Sequence, residues 1–189
     1  MATPTVRELV KNSASNASAT VNTGAGTAVG DILLCFYGSN YYTISTMGSP
    51  TPGTWGLEQT ADAGLNLPHL KLFSRSVTTG GANEVTVPAN LDAEIYQQTF
   101  VLAGVGTTNE NSAGNSGTGS SSHVSSSVTA VASDDLLLCV SQAQFGTAYT
   151  AAPSGMTNLT NENTASFGCL GSARQNLTVS PVLDRKSVV

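Results

Sequence analysis

The sequence predicts an all-β protein, an antiparallel β-sandwich assembled from two sequence-related halves. Helical periodicity is almost absent, because the one short candidate, Val6–Asn12, reads equally well as a strand. Short β-prone runs alternate with clusters of Gly, Pro, Asn and Ser, which is the pattern of a sandwich or barrel. One apolar strand sequence also occurs twice in similar form, as ILLCF from Ile32 and as LLLCV from Leu136.

The apolar runs and the turn residues between them define the expected strands. In chain order they are Val6–Val10, Ala19–Asn22, Asp31–Gly38, Gly56–Thr60, His69–Val77, Glu84–Val87, Ile95–Val105, Ser122–Thr129, Asp135–Gln142, Thr157–Asn161, Phe167–Ala173 and Leu177–Val179. The two repeated strands are apolar on both faces, so each is expected to be covered on both sides. The aspartates before them, Asp31 and Asp135, are expected to accept hydrogen bonds from turn amides.

The repetition extends beyond the apolar strand and indicates an internal duplication with long units. Three pairs of segments recur in the same order: Asp31 to Cys35 as Asp135 to Cys139, Pro52 to Trp55 as Pro153 to Met156, and the strand ending at Arg75 as the strand ending at Arg174. The separation shrinks from 104 to 101 to 99 residues along the chain. Short loop deletions explain that drift without any change in the order of the parts.

The duplication and the composition together divide the chain into three parts. Residues 27–180 are expected to form one sandwich domain, with halves 27–105 and 121–180 joined by a Gly/Ser/Asn-rich loop. Thr107–Ser120 has almost no apolar side chain to offset its ordering entropy and is expected to be a surface loop. An N-terminal arm, 1–26, and a C-terminal tail, 181–189, flank the domain.

Charge and cysteine content exclude several classes of protein. Charged residues make up 10% of the chain, against about 25% in an average soluble protein. The net charge is −5 with seven Lys plus Arg, so the basic patch of a nucleic-acid binder is absent from the sequence. The chain has three cysteines, an odd number, and each lies in an apolar run. Both observations favour buried free thiols over disulfides. No signal peptide or membrane-spanning run is found, so cytoplasmic synthesis and no membrane association are expected.

The chemical inventory predicts no enzyme, no metal and no cofactor. His69 and His123 lack acidic or thiol neighbours at ligand spacing. The sequence contains no G-x-S-x-G nucleophile elbow and no phosphate-binding glycine loop. Two carboxylate pairs, Asp92 with Glu94 and Glu58 with Asp62, have a spacing that suits a glycosidase, but such pairs arise by chance among 12 acidic residues.

Three of these segments carry a family resemblance. Gly30–Leu34 (GDILL), Pro52–Trp55 and Leu70–Arg75 (LKLFSR), in that order, resemble a β-sandwich module of tailed-phage structural proteins and bacterial surface proteins. The resemblance covers roughly Val29 to Arg174, and it departs from the pattern at Thr54 and at Met156, which replaces a second Trp. It implies a jelly-roll-like antiparallel sandwich with a role in a virion and no catalytic residue.

The expected role is therefore that of a virion protein, made in the host cytoplasm. A capsid decoration protein is favoured over a minor tail or fibre protein, because the chain has no coiled-coil or collagen-like stalk. Its expected partners are other virion proteins and copies of itself. The alternative class is a lectin-like module that binds host cell-wall glycan.

Six residues are the candidate contact positions. Val6, Leu9 and Val10 are expected to contact a neighbouring subunit, because the segment that carries them would add a strand to an edge of that subunit's sheet. Tyr41, Tyr42 and Trp55 are the candidate aromatic platform for a sugar. The competing interpretation of Trp55 is an apolar plug of the core.

Overall fold

A computed structural model describes residues 4–40, 47–62, 64, 68–90, 94–105, 127–128, 136–143, 148–164, 168–176 and 185–186. Every regular element in this described part is a β-strand. In chain order the strands are β1 (Thr5–Ser15), β2 (Ala19–Asn22), β3 (Ile32–Ser39), β4 (Gly56–Asp62), β5 (His69–Ser76), β6 (Glu84–Val87), β7 (Glu94–Ala103), β8 (Ser127–Val128), β9 (Leu136–Ala143), β10 (Thr157–Thr164), β11 (Gly168–Asn176) and β12 (Arg185–Lys186).

The strands form antiparallel sheets, which confirms the predicted fold class. A five-stranded sheet has the order β1-β7-β3-β5-β4, and a three-stranded sheet has the order β10-β11-β9. Two short pairs, β2 with β6 and β8 with β12, complete the topology. The expected strands from Val6–Val10 to Phe167–Ala173 each overlap an observed one, whereas Leu177–Val179 lies outside the described residues. The jelly-roll order stays a prediction.

β3 lies in the middle of the five-stranded sheet and explains the run of apolar residues. It is paired with β5 on one side and β7 on the other. Because successive side chains point to opposite faces, Leu33 packs in a core with Val21 and Val85 of the β2–β6 pair. Phe36 points the other way, into a core shared with the three-stranded sheet. The strand is thus covered on both faces, as expected.

β7 ties the central sheet to both of its covering layers through two buried glutamines. The Gln97 side-chain amide donates a hydrogen bond to the carbonyl of Val85 at 3.2 Å, towards the β2–β6 pair. The Gln98 side-chain amide donates to the carbonyl of Leu170 at 2.7 Å, in the three-stranded sheet. Both side chains are fully buried. Buried polar contacts of this kind fix one geometry between layers, since any other leaves an amide unpaired.

The N-terminal segment belongs to the sheets of its own chain, which differs from the arm expected over 1–26. β1 pairs with β7 from Thr5 to Ser15, and β2 pairs with β6. Leu9 packs into the core facing the three-stranded sheet, and Val10 packs into the core facing β2 and β6. Few large apolar residues are needed here, because Ala and Ser fill the remaining positions of a strand that is only partly buried.

Three described strands in the C-terminal part are paired in the same order as three strands in the N-terminal part. β9, β11 and β10 are paired as β3, β5 and β4 are. Leu34 faces Ser74 across the first pair, and Leu138, 104 residues after Leu34, faces Arg174 across the second. Arg174 therefore occupies the place of Ser74. The sequence alignment of Arg174 with Arg75 is wrong by one residue. Because successive side chains of a strand point to opposite faces of the sheet, this shift places the Arg174 side chain on the face opposite to the one that the alignment predicts.

Candidate functional site

A cavity of about 300 Å³ lies between β1 and the three-stranded sheet, and we call it the β1–β10 groove. Its apolar wall is formed by Val6, Leu9 and Phe100. Its polar wall is formed by Asn158, Thr160, Ser172 and Arg174, while Arg7 and Glu8 line its rim on β1. The groove thus combines an apolar surface with hydroxyl, amide and guanidinium groups.

Two irregularities in the strands produce the groove. The pairing of β1 with β7 shifts between Val6 and Glu8, so that Arg7 is the extra residue of a bulge. The pairing of β10 with β11 shifts between Thr157 and Thr160, and Asn158 there has a positive φ of 55°. Bulges bend strands and redirect side chains. Both redirected segments line the same cavity.

Further along, β1 and β10 are held together by side chains. The ammonium of Lys11 lies 3.3 Å from the Glu162 carboxylate and also donates to the carbonyl of Asn161. The hydroxyl of Ser13 donates to the other oxygen of Glu162 at 2.9 Å. These contacts fasten the edge strand β1 to the three-stranded sheet. The groove is the part of this junction that remains open.

The charged groups on the rim differ in how they are bound. The Arg7 guanidinium pairs with the buried Asp31 carboxylate, with Nε 3.0 Å from Oδ2. Asp31 also accepts a 2.8 Å hydrogen bond from the amide of Ala28, which is the turn role expected for it. Glu8 accepts a 2.6 Å hydrogen bond from the amide of Gly24. The Arg174 guanidinium has no hydrogen-bond or ion-pair partner among the described residues.

Two of the three predicted partner-binding residues lie at this groove. Val6 and Leu9 line it, whereas Val10 faces the core on the other side of the sheet. Sequence reasoning missed Arg174, Asn158 and Ser172. The available signal was weak: Arg174 is one of only seven basic residues, and it stands in a strand among small side chains.

The predicted aromatic platform is described only at Trp55. Tyr41 and Tyr42 lie outside the described residues. Trp55 is 7% exposed, and its Nε1 donates to the carbonyl of Pro52 at 3.1 Å. The Arg75 guanidinium lies 4.8 Å from the centre of its ring, a cation–π distance. Trp55 is thus packed beneath Arg75 as part of the core cluster that contains Phe73.

The described thiols and the described histidine are buried. Burial raises the pKa of Cys35 to about 12 and that of Cys139 to about 11, so both thiols stay protonated and poorly nucleophilic. The Nδ1 atom of buried His69 lies 2.9 Å from a carboxylate oxygen of Asp62. Within the described residues, no three His, Cys, Asp or Glu side chains are grouped to hold a metal ion.

The chain matches no protein-family model, no curated protein and no solved structure. The part of the chain that the structure describes contains no helix long and apolar enough to cross a membrane.

Proposed function

We propose that the chain is a structural subunit that works through contacts in an assembled particle, as a capsid decoration protein of a tailed phage. The observation that carries the proposal is the outer edge of β9. Within the described residues β9 pairs only with β11, whereas its counterpart β3 also has β7 beside it. An edge of this kind offers a row of backbone donors and acceptors to another strand.

β9 also lacks the features that keep edge strands from pairing. Soluble proteins protect such edges with charged side chains, proline or bulges. The sequence from Leu136 to Ala143, LLLCVSQA, contains no charged residue and no proline. Its register with β11 runs without a shift from Asn176 to Cys169. An unprotected edge fits a strand that is paired in the working state of the protein.

The surface beside β9 favours an added strand as well. Leu70 and Leu72 of β5 and Leu136 and Leu138 of β9 are only partly buried, and all four pack against the core between the two main sheets. Among the described strands, the central sheet has five and the sheet that covers it has three. A further strand beside β9 would cover these leucines at about 25 cal/mol per Å² of apolar surface removed from water.

The low density of free charge also suits a surface made for contacts. Arg7, Lys11, Lys71 and Arg75 each bind an acceptor within the chain. When a neighbouring subunit packs over a charge that already has an acceptor in the free protein, that charge keeps its partner. Its removal from water therefore costs less free energy than the burial of an unpaired charge. This property supports assembly but does not by itself distinguish a shell from a tail.

Counting the chain in particles tests the proposal and places it. The particle fraction of a lysate is purified, and its proteins are quantified by mass spectrometry against a labelled standard of this chain. Hundreds of copies per particle are expected for a decoration protein, and a handful would assign the chain to the tail instead. Absence of the chain from the particle fraction would defeat the virion role.

A further inference from the structure

We propose that the β1–β10 groove binds a carboxylate carried by a protein segment, with Arg174 as its counter-ion. Four basic side chains, those of Arg7, Lys11, Lys71 and Arg75, each bind an acceptor within the chain, and the Arg174 guanidinium is the exception among the basic side chains that the structure describes. Arginine presents its donors in a fork that matches both oxygens of a carboxylate. The unpaired guanidinium therefore sets the charge of the group that the groove accepts.

The other charged groups on the rim leave this assignment intact. The positive charge of Arg7 is engaged by Asp31, at 3.0 Å. The carboxylate of Glu8 is engaged by the amide of Gly24 at 2.6 Å, and no contact within 4.0 Å joins it to Arg174. A ligand carboxylate thus meets a guanidinium that no acid of the described chain already occupies.

The remaining walls favour a peptide as the carrier of that carboxylate. Val6 and Leu9 provide an apolar surface next to Arg174, which suits an apolar side chain adjacent to an acidic one. The bulge at Arg7 interrupts the pairing of β1 along the same rim, where an extended segment can approach backbone groups. The volume of about 300 Å³ accommodates one or two residues.

A pair of peptides that differ in one charge tests the inference. The probes are acetyl-Leu-Glu-amide and acetyl-Leu-Gln-amide, titrated into the full chain while backbone amide NMR signals are followed. We expect the glutamate peptide to bind about tenfold or more tightly, since a charge-assisted pair is lost with glutamine. Its shifts should centre on the amides of Val6–Leu9 and Asn158–Thr160.

Variants of the chain separate the groove from general attraction to positive charge. Arg174→Gln is expected to remove the preference for glutamate, and Arg174→Lys to retain part of it. Lys71→Gln removes one positive charge outside the groove and is expected to change nothing. Equal binding of the two peptides, failure of both to bind, or equal losses in Arg174→Gln and Lys71→Gln would overturn the inference.

The outcome is independent of the particle role. If the chain assembles into particles through the β9 edge alone, the role in a particle holds and the groove has no ligand. If the groove binds the glutamate peptide, the groove inference holds whether or not the chain is part of a particle. If Arg174→Gln fails to fold, the Arg174→Lys variant and the two peptides on the unaltered chain still decide the matter.

Discussion

Replacing Trp55 with alanine is expected to lower the free energy of unfolding by about 3–5 kcal/mol, the range for removing a buried large aromatic side chain. Trp55 is 7% exposed and belongs to the core cluster that contains Phe73 and Val77. The substitution also leaves the carbonyl of Pro52 with one donor fewer and removes the ring beneath Arg75. The loss therefore combines a cavity with two broken polar contacts.

Urea unfolding of the two proteins, followed by far-ultraviolet circular dichroism, measures this difference. Trp55→Phe is the matched control, because it keeps most of the ring and loses the Nε1 donor, at a cost of about 1 kcal/mol beyond any packing change. A decrease of less than about 1 kcal/mol in the free energy of unfolding of Trp55→Ala would contradict the interpretation of Trp55 as an apolar plug of the core. If that small change came with loss of glycan binding, the sugar-platform interpretation would replace it.

Equivalent leucines in the two repeated strands are expected to differ sharply in what they contribute. Leu33 is fully buried in the centre of the five-stranded sheet. Leu137, 104 residues later, is half-buried on β9, which pairs only with β11 among the described residues, and it packs against a small cluster of Cys139, Met156 and Ala173. We expect Leu33→Ala to cost about 3–4 kcal/mol and Leu137→Ala roughly 1–2 kcal/mol, because partial burial leaves less transfer energy to lose.

The same unfolding measurement on both variants checks the difference. The two substitutions delete the same atoms from strands of nearly the same sequence, so each serves as the control for the other. Equal costs would contradict the account, since they would require Leu137 to be as deeply packed as Leu33. Such a result would mean that the face of β9 that carries Leu137 is fully covered in the free chain.

Most of the fold could be predicted from the sequence because its signals are local. Strand β3 was recognisable from a continuous apolar run, and β4 from the proline turn before it. The role of β1 could not be recognised from the sequence, because a partly buried strand that contains Ser, Ala and Asn resembles a polar arm. Its place is set by pairing with β7, about ninety residues away, and no local pattern encodes that distance.

The candidate site was accessible only in part. Val6 and Leu9 stood out as apolar residues in a polar segment. The groove they line needs β10 on its other side, and the contacts between β1 and β10 join residues separated by 149 and 150 positions. The one-residue error at Arg174 becomes visible only in the pairing of β11 with β9, which places Arg174 opposite Leu138.

Hydrogen exchange at β9 tests the central claim, that this edge is built to be paired in an assembly. Amides of β9 that point away from β11 are expected to exchange quickly in the free chain and slowly in purified particles. Strand β3, paired on both sides, is the internal control and should exchange slowly in both states. Identical exchange of the outward β9 amides in the free chain and in particles would contradict the claim.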